Sequence, residues 1–214
     1  MAEKPEEKIE PGFEYQIRKR FTRLPKKDYE RMIVEMQNWI LNSNRYSKTI
    51  RELLDNSART IYRLFGFREI SIGVRDQNDG LYKYVTVFGF TNVAEKAQRE
   101  TTYTFDEYWS YEDYPGIKLS SMSDFCIADI MKDAYNRPLK LSETRKSMDD
   151  FLEGDYINIS IYDSKVQLIA WMELAKSKDE KIPTNEQLLW IELFSSIMGI
   201  MIERVILSLN ALKK

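Results

Sequence analysis

The chain has 214 residues, of which 43% are hydrophobic and 31% are charged, and its formal net charge is −2. This length fits one domain with a substantial core, and the composition is that of a soluble globular protein rather than a disordered or fibrous one. The nearly balanced charge lacks the basic excess that binding to a phosphate backbone requires, so we expect no nucleic-acid partner.

The absence of histidine excludes several kinds of enzyme and cofactor site. Ser-His-Asp and Cys-His nucleophile systems, His-ligated zinc and His-ligated haem cannot be built from this chain alone. No G-x-G-x-x-G, P-loop or C-x-x-C motif is present. The single cysteine, Cys126, cannot form an internal disulfide, which agrees with a reducing compartment. We therefore expect a protein that is not an enzyme and that holds no haem, bilin, zinc or other cofactor.

The N-terminal residues predict a tail followed by a helical segment. Residues 1–12 are charged and contain proline without apolar periodicity, which indicates a disordered tail. We assign residues 13–46 to an N-terminal helical segment and residues 47–210 to the folded domain. No apolar signal region and no stretch of about 20 apolar residues occurs, so we expect a cytoplasmic protein without membrane contact.

Two amphipathic helices are predicted in the first third of the chain. Between Tyr29 and Leu41, apolar residues recur at spacings of three and four and form one stripe. A second helix runs from Ser47, a suitable N-cap, to Gly66, a suitable terminator.

Alternating patterns then predict two β-hairpins. Residues 68–90 contain an alternating strand, a turn at residues 78–80 and a β-branched and aromatic strand. Residues 157–174 repeat this arrangement with a turn at Asp163 and Ser164. Between the hairpins, residues 93–100 predict a short helix, residues 103–108 fit an extended segment and residues 123–132 are ambiguous. The expected fold is α/β (α+β), with a central antiparallel sheet.

The last helix has a capping box, in which Thr184 caps and Gln187 reciprocates three residues later, and it extends to about Leu209. Its polar residues occupy a narrow side, and apolar residues occupy two flanks. One flank contains Leu189, Leu193, Ile197 and Ile200, and the other contains Ile191, Met198, Ile202, Val205 and Leu209. A helix that packs only on a sheet needs an apolar arc of about 100°. The wider arc here implies a second partner surface.

The sequence resembles the GAF domains of bacterial and archaeal signalling proteins over residues 47–209. The likeness is clearest in EKIPTNEQLLWIELFSSIMGIMIERV, residues 180–205, where Pro183 and Thr184 open the helix. Within that helix, a Leu-Glu-like pair is occupied by Ile191 and Glu192, and Ile202 and Glu203 follow. Residues 51–76 and 94–108 are also similar to family segments. The resemblance implies helices from both termini packed on one sheet face and a crossover or lid region on the other.

The resemblance also implies a sensory or regulatory module. We expect a stand-alone, homodimeric GAF domain that binds a small molecule in signal transduction and meets a signalling protein partner. One alternative is a structural dimerisation module with a filled core and no ligand. Another is an enzyme like the GAF-type reductases of free methionine sulfoxide, although those use several cysteines.

Two residue sets follow from the family topology. The aromatic-rich middle segment suggests a lid over a ligand-binding pocket, or a crossover whose rings merely cover the sheet. The predicted pocket residues are Phe88, Phe90, Trp109, Tyr114, Phe125 and Cys126, although Cys126 also fits an inert core thiol. The predicted dimer interface, between the first and last helices, comprises Met32, Met36, Ile191, Met198, Ile202, Val205 and Leu209.

Overall fold

The computed structural model describes residues 28–108, 116–127, 145–147 and 149–211. These residues form one antiparallel sheet of seven strands in the order β3-β2-β1-β7-β6-β5-β4. The strands are β1 (Phe67–Arg75), β2 (Tyr82–Phe88), β3 (Thr102–Tyr103), β4 (Ile117–Lys118), β5 (Ser123–Cys126), β6 (Tyr156–Tyr162) and β7 (Leu168–Ser177). The central pair, β1 and β7, joins the two hairpins.

Helices cover both faces of this sheet. They are α1 (Asp28–Tyr46), α2 (Ile50–Phe65), α3 (Asn92–Glu100), α4 (Phe105–Tyr108) and α5 (Asn185–Ala211). The first two helices and α5 pack on one face, which we call the three-helix face. The other face is covered by α3 and α4, and we call it the α3 face. This arrangement confirms the predicted α+β class, with helices from both ends of the chain on the same side of the sheet.

The main core lies between the sheet and the three helices. Alternate strand positions supply buried isoleucines, including Ile70, Ile72 and Ile159. They meet the buried faces of α2 and α5, and Trp39 of α1 packs on Phe194 of α5 with 4.3 Å between ring centroids. Because burial of apolar surface contributes about 25 cal/mol per Å², this layer is the main source of stability.

Most predicted elements are observed, with two local differences. The second helix is capped by Thr49 rather than Ser47, because Thr49 and Glu52 form a reciprocal capping box. The predicted extended segment at 103–108 is wrong beyond Tyr103, where α4 forms one helical turn. This helical turn forms because a second capping box precedes it, in which Glu107 Oε2 accepts a hydrogen bond from Thr104 N at 2.7 Å.

The predicted dimer residues need correction, because four of them are buried in the chain's own core: Met36, Ile191, Met198 and Ile202. Met32 and Val205 are half-buried, and Leu209 is at the border of exposure. Two acidic residues on the polar side of α5 accept hydrogen bonds from serines elsewhere in the chain. Glu192 accepts from Ser123 Oγ of β5 at 2.6 Å, and Glu203 accepts from Ser164 Oγ at 2.7 Å.

α5 packs on the sheet through the flank that contains Ile191, Met198 and Ile202, so its other apolar flank lies in solvent. Leu189 is 57% exposed, Leu193 47%, Ile200 64% and Leu207 62%. Gly199 lies on the buried side, where an added Cβ would sit 2.6 Å from the carbonyl oxygen of Tyr162. The close backbone approach at this glycine fixes which flank meets the sheet.

Candidate functional site

The α3 face carries a line of polar side chains that crosses four neighbouring strands. Ser71 on β1 pairs with Glu173 on β7, Glu173 pairs with Asn158 on β6, and Asn158 pairs with Asp124 on β5. We call these four residues the polar row. Their strand neighbours, such as Ile70, Ile72 and Met172, point into the core on the opposite side. Strand alternation therefore directs all four polar side chains to the α3 face.

The inner part of the polar row is buried and hydrogen-bonded. Ser71 is fully buried and its Oγ donates to Gln98 Oε1 of α3 at 2.9 Å. Glu173 is buried, and its Oε1 accepts from Tyr84 Oη at 2.6 Å and from Trp171 Nε1 at 3.2 Å. These contacts hold the carboxyl group of Glu173 in a fixed position on the α3 face.

The outer part of the row is covered by α4 and bounded by a surface lysine. Asn158 Nδ2 donates to Tyr108 Oη at 3.0 Å, so the ring of Tyr108 lies above β6. Burial raises the pKa of the Tyr108 hydroxyl well above its ordinary range, which keeps it a neutral hydrogen-bonding group. At the edge, Lys118 Nζ donates to Asp124 Oδ2 at 3.2 Å.

An aromatic cluster lines one side of the polar row. Trp171 is fully buried, and its ring lies 5.0 Å from Tyr84 and 5.1 Å from Tyr108. Tyr82 stacks on Tyr108 with centroids 5.8 Å apart. The indole fits because Gly73 lies directly beneath it, where an added Cβ would be only 1.9 Å from Trp171 Cη2. The glycine thus makes room for the largest ring of the cluster.

Cys126 lies on the other side of the row, with Tyr156 and Ala175. Burial, the largest effect, raises the pKa of its thiol to about 12, and the nearby charge of Glu173 acts in the same direction. The thiolate is the reactive form of cysteine. The environment of Cys126 therefore suits a packed thiol and not a nucleophile.

The predicted pocket residues do not line one cavity, and this part of the prediction is corrected. Phe88 and Phe125 pack into the core on the three-helix face, whereas Phe90 joins the aromatic cluster and Cys126 faces the same way. Phe88 ends β2 and Phe125 is in β5, with three strands between them. Trp109 and Tyr114 lie outside the described residues.

Two residues of the polar row that are absent from the predicted site, Ser71 and Glu173, have a recognisable sequence pattern. Ser71 and Glu173 are polar residues inside apolar strand segments, and an inward polar side chain in such a segment is costly unless it is satisfied. What the pattern cannot supply is the register across four strands, since this depends on long-range pairing. The row forms because β1 and β5 pair with the two outer sides of the β6–β7 hairpin.

The described ranges show neither a metal centre nor a spanning helix. No group of three or more Cys, Asp or Glu side chains in those ranges is arranged to hold a metal ion. Likewise, no helix in them is long and apolar enough to cross a membrane.

Comparison with solved structures identifies the fold. The GAF domain of an Acinetobacter phosphoenolpyruvate-protein phosphotransferase matches at a TM-score of 0.56 with 6% identity, covering 85% of this chain and 95% of that one. The corresponding domain from Coxiella burnetii gives 0.54 with 14% identity, covering 84% and 95%. The chain has the GAF-domain fold. A GAF domain from a candidate sensor histidine kinase of Pseudomonas syringae pv. tomato gives 0.51 with 10% identity, covering 93% and 98%.

The structural neighbours confirm the resemblance to GAF domains that the sequence indicated. No family model matches the chain, and no curated protein matches it by sequence.

Proposed function

We propose that this GAF-fold chain is a sensory domain that binds a small molecule on the α3 face and works as a homodimer in signal transduction. The polar row is the observation that supports this function. A sheet face that served only as a core would be filled with apolar side chains, because burying polar groups costs free energy unless every one is satisfied. Here the row combines converging polar groups with an aromatic wall, which is typical of small-molecule sites.

The structural neighbours suggest the setting for such a site. Two of them are GAF domains of phosphoenolpyruvate-protein phosphotransferases, and another comes from a candidate sensor histidine kinase. By analogy, we propose that this chain passes a ligand signal to a protein partner. The analogy is one of fold, so it supplies a class of role and not a ligand.

We also propose that the domain is not an enzyme. A reductase of the methionine sulfoxide kind needs an activated thiol, and the pKa of Cys126 is raised by burial to about 12. One cysteine also provides no resolving partner for a disulfide intermediate. The role of Cys126 that best fits its contacts is packing beside Tyr156 and Ala175.

The exposed flank of α5 supports the homodimer. Leu193, Ile200 and Leu207 recur at seven-residue spacing, with Leu189 one turn before them. A seven-residue apolar repeat is the seam of paired helices. The stripe from Leu189 to Leu207 is about 27 Å long at 1.5 Å per residue. A second copy is the occupant we propose, because a two-fold axis sets the same stripe against itself.

A test of ligand binding compares the parent with Asn158→Leu, which replaces a polar member of the row by an apolar residue. Native mass spectrometry of freshly purified parent should show a bound small molecule, and fractions of a metabolite extract should raise its Tm. Both effects should be lost in Asn158→Leu and kept in Gln37→Leu, an amide replaced on the exposed side of α1. If the parent carries no ligand and no fraction changes its Tm, the structural dimerisation module is the better description.

A further inference from the structure

At each end of the polar row lies a buried polar atom that has no hydrogen-bond partner among the described residues, and the two atoms are of opposite kind. At the β1 end, Gln98 of α3 is 7% exposed, and while its Oε1 accepts from Ser71, its Nε2 donor has no partner in the described part of the chain. At the other end, Asp124 Oδ1 is a buried acceptor that meets no donor of the described ranges. A buried polar group that lacks a hydrogen bond destabilises the folded state, because it has lost its contacts with water. Such groups call for an explanation, and a ligand that satisfies both is a direct one.

The positions of these two atoms define the length of the ligand. Gln98 is held over β1 by Ser71, and Asp124 is on β5, so three interstrand spacings separate their ends of the row. This corresponds to about 14 Å between the strand positions. Asn158 and its hydrogen-bond partner Tyr108 lie between the two ends. An extended molecule of several bonds is needed to reach both ends.

The charges of the row define the chemistry of the ligand. Two of its four members, Glu173 and Asp124, are carboxylates. Lys118 contacts Asp124 at Oδ2, so Oδ1 is the carboxylate oxygen that has no partner among the described residues. A charge-assisted hydrogen bond from an ammonium group is the strongest partner for this oxygen. Two carboxylates along one wall also disfavour an anionic ligand.

We propose that the polar row binds an organic ammonium ion that carries a neutral hydrogen-bond acceptor at its other end. The ammonium group donates to Asp124 Oδ1, and the acceptor receives the Nε2–H of Gln98. The chain that joins them lies along the rings of Tyr108 and Trp171, which supply apolar contact. This ligand class rests on the proposed small-molecule function of the α3 face and adds to it a sign of charge and an orientation.

N-acetylputrescine is a suitable probe, because it has an ammonium group at one end and an amide carbonyl at the other. Calorimetry should show that it binds the full chain more tightly than putrescine, which lacks the carbonyl. Acetamidobutyrate, which replaces the ammonium by a carboxylate, should not bind. The change Asp124→Asn should weaken binding by about 10- to 100-fold, since it removes the charge from the hydrogen bond.

Two further variants separate the ends of the ligand. Gln98→Met removes the donor and should bring the affinity for N-acetylputrescine down to that for putrescine, while putrescine binding is unchanged. Glu100→Gln removes an exposed carboxylate from the same helix, whose partner Lys96 is 3.8 Å away, and should change neither affinity by more than about twofold. Circular dichroism of each variant shows whether it is folded.

The outcomes also distinguish this proposal from the proposed function. Absence of N-acetylputrescine binding, equal binding of acetamidobutyrate or an unchanged affinity in Asp124→Asn would each overturn the ammonium assignment. If anionic compounds from a metabolite extract then stabilise the parent but not Asn158→Leu, the α3 face is a ligand site of different chemistry. If no compound binds the parent, whether it is cationic, anionic or neutral, the ligand-binding function fails together with the ammonium assignment.

Discussion

Gly73 and Trp171 form the tightest steric relation on the α3 face. The two residues are cross-strand partners on β1 and β7, and the indole occupies the space where a side chain of Gly73 would stand. Trp171 in turn positions Glu173 through its indole N–H and contacts Tyr84 and Tyr108. A glycine in a strand usually weakens the strand. Here it is required because it allows the aromatic wall of the site to form.

Gly73→Ala should therefore destabilise the protein although alanine is normally the better strand residue. The new Cβ would lie 1.9 Å from Trp171 Cη2, so the fully buried ring would have to shift. Overpacking of this kind costs about 1–3 kcal/mol. Urea unfolding followed by tryptophan fluorescence should show a lower midpoint and an altered native spectrum. A midpoint equal to that of the parent would mean that the indole can be displaced at little cost.

For single residues, the sequence predicted whether a side chain is buried better than it predicted the face of the sheet on which the side chain lies. The buried state of Cys126 followed from its apolar neighbours, Phe125 and Ile127, and its raised pKa agrees with this. The pocket residues were wrong as a set for two local reasons. Phe125 and Cys126 are adjacent in β5 and therefore face opposite sides of the sheet. Phe88 ends β2, and Gly89 after it has a φ of +83°, so the alternation of the strand does not extend to Phe90.

At the scale of elements, local capping chemistry determines where helices begin. Thr184 and Gln187 form the predicted capping box of α5, with Thr184 N donating to Gln187 Oε1 at 2.9 Å. The same Thr-x-x-Glu spacing occurs at Thr104 and Glu107, within a segment whose aromatic residues favour a strand. The hydrogen bonds of the box outweigh that preference in a segment with only two residues paired to β2.

The side chain of Asp150 connects the chain before β6 to the loop before α5. Its Oδ2 accepts from the backbone N–H groups of Lys146 and Ser147 at 2.8 and 2.7 Å, and its Oδ1 accepts from Lys181 Nζ at 2.6 Å. The ion pair with Lys181, followed by these backbone hydrogen bonds, lowers the pKa of Asp150 from 3.8 to about 2. The folded state therefore favours the ionised carboxylate more than the unfolded state does.

This difference predicts a specific dependence of stability on pH. Because the pKa is lower in the folded state, the stabilisation is fully present above pH 4 and is lost as the pH falls toward 2. Asp150→Asn should have a lower Tm than the parent at pH 6, and the two values should converge as the pH approaches 2. Glu100→Gln, which removes an exposed helix carboxylate, provides the matched control. A constant difference between parent and Asp150→Asn across this range would show that the carboxylate acts through its shape alone.

At the scale of the whole molecule, periodicity predicted the layers of the fold. Two helices, two hairpins and a long final helix indicated an antiparallel sheet, and the resemblance to GAF domains implied that the terminal helices share one face, as observed. The orientation of α5 could not be predicted in the same way, because both of its flanks are apolar and its carboxylates, Glu192 and Glu203, do not face solvent alone. Both carboxylates instead accept hydrogen bonds from serines of the β5 region and the β6–β7 turn. A polar residue marks solvent only when no intramolecular partner is available.

The corrected orientation of α5 changes the residue that should control dimerisation. Ile202 is fully buried in the core, whereas Ile200 is 64% exposed within the heptad stripe. A carboxylate at position 202 would be desolvated in the monomer, so Ile202→Glu should unfold or aggregate the protein. A carboxylate at position 200 is hydrated in the monomer and desolvated only in the paired state. Ile200→Glu should therefore leave the fold intact and prevent association.

Sedimentation velocity at micromolar concentration, with circular dichroism on the same samples, tests this pair of expectations. The parent should sediment as a dimer, and Ile200→Glu as a folded monomer. Val93→Glu is the matched control, because Val93 is 82% exposed but lies on α3, on the opposite side of the sheet from the stripe. It should remain a dimer. A parent that sediments as a monomer would contradict the self-pairing of α5, as would a dimer that survives Ile200→Glu, since an unpaired charge buried in a helix seam costs several kcal/mol.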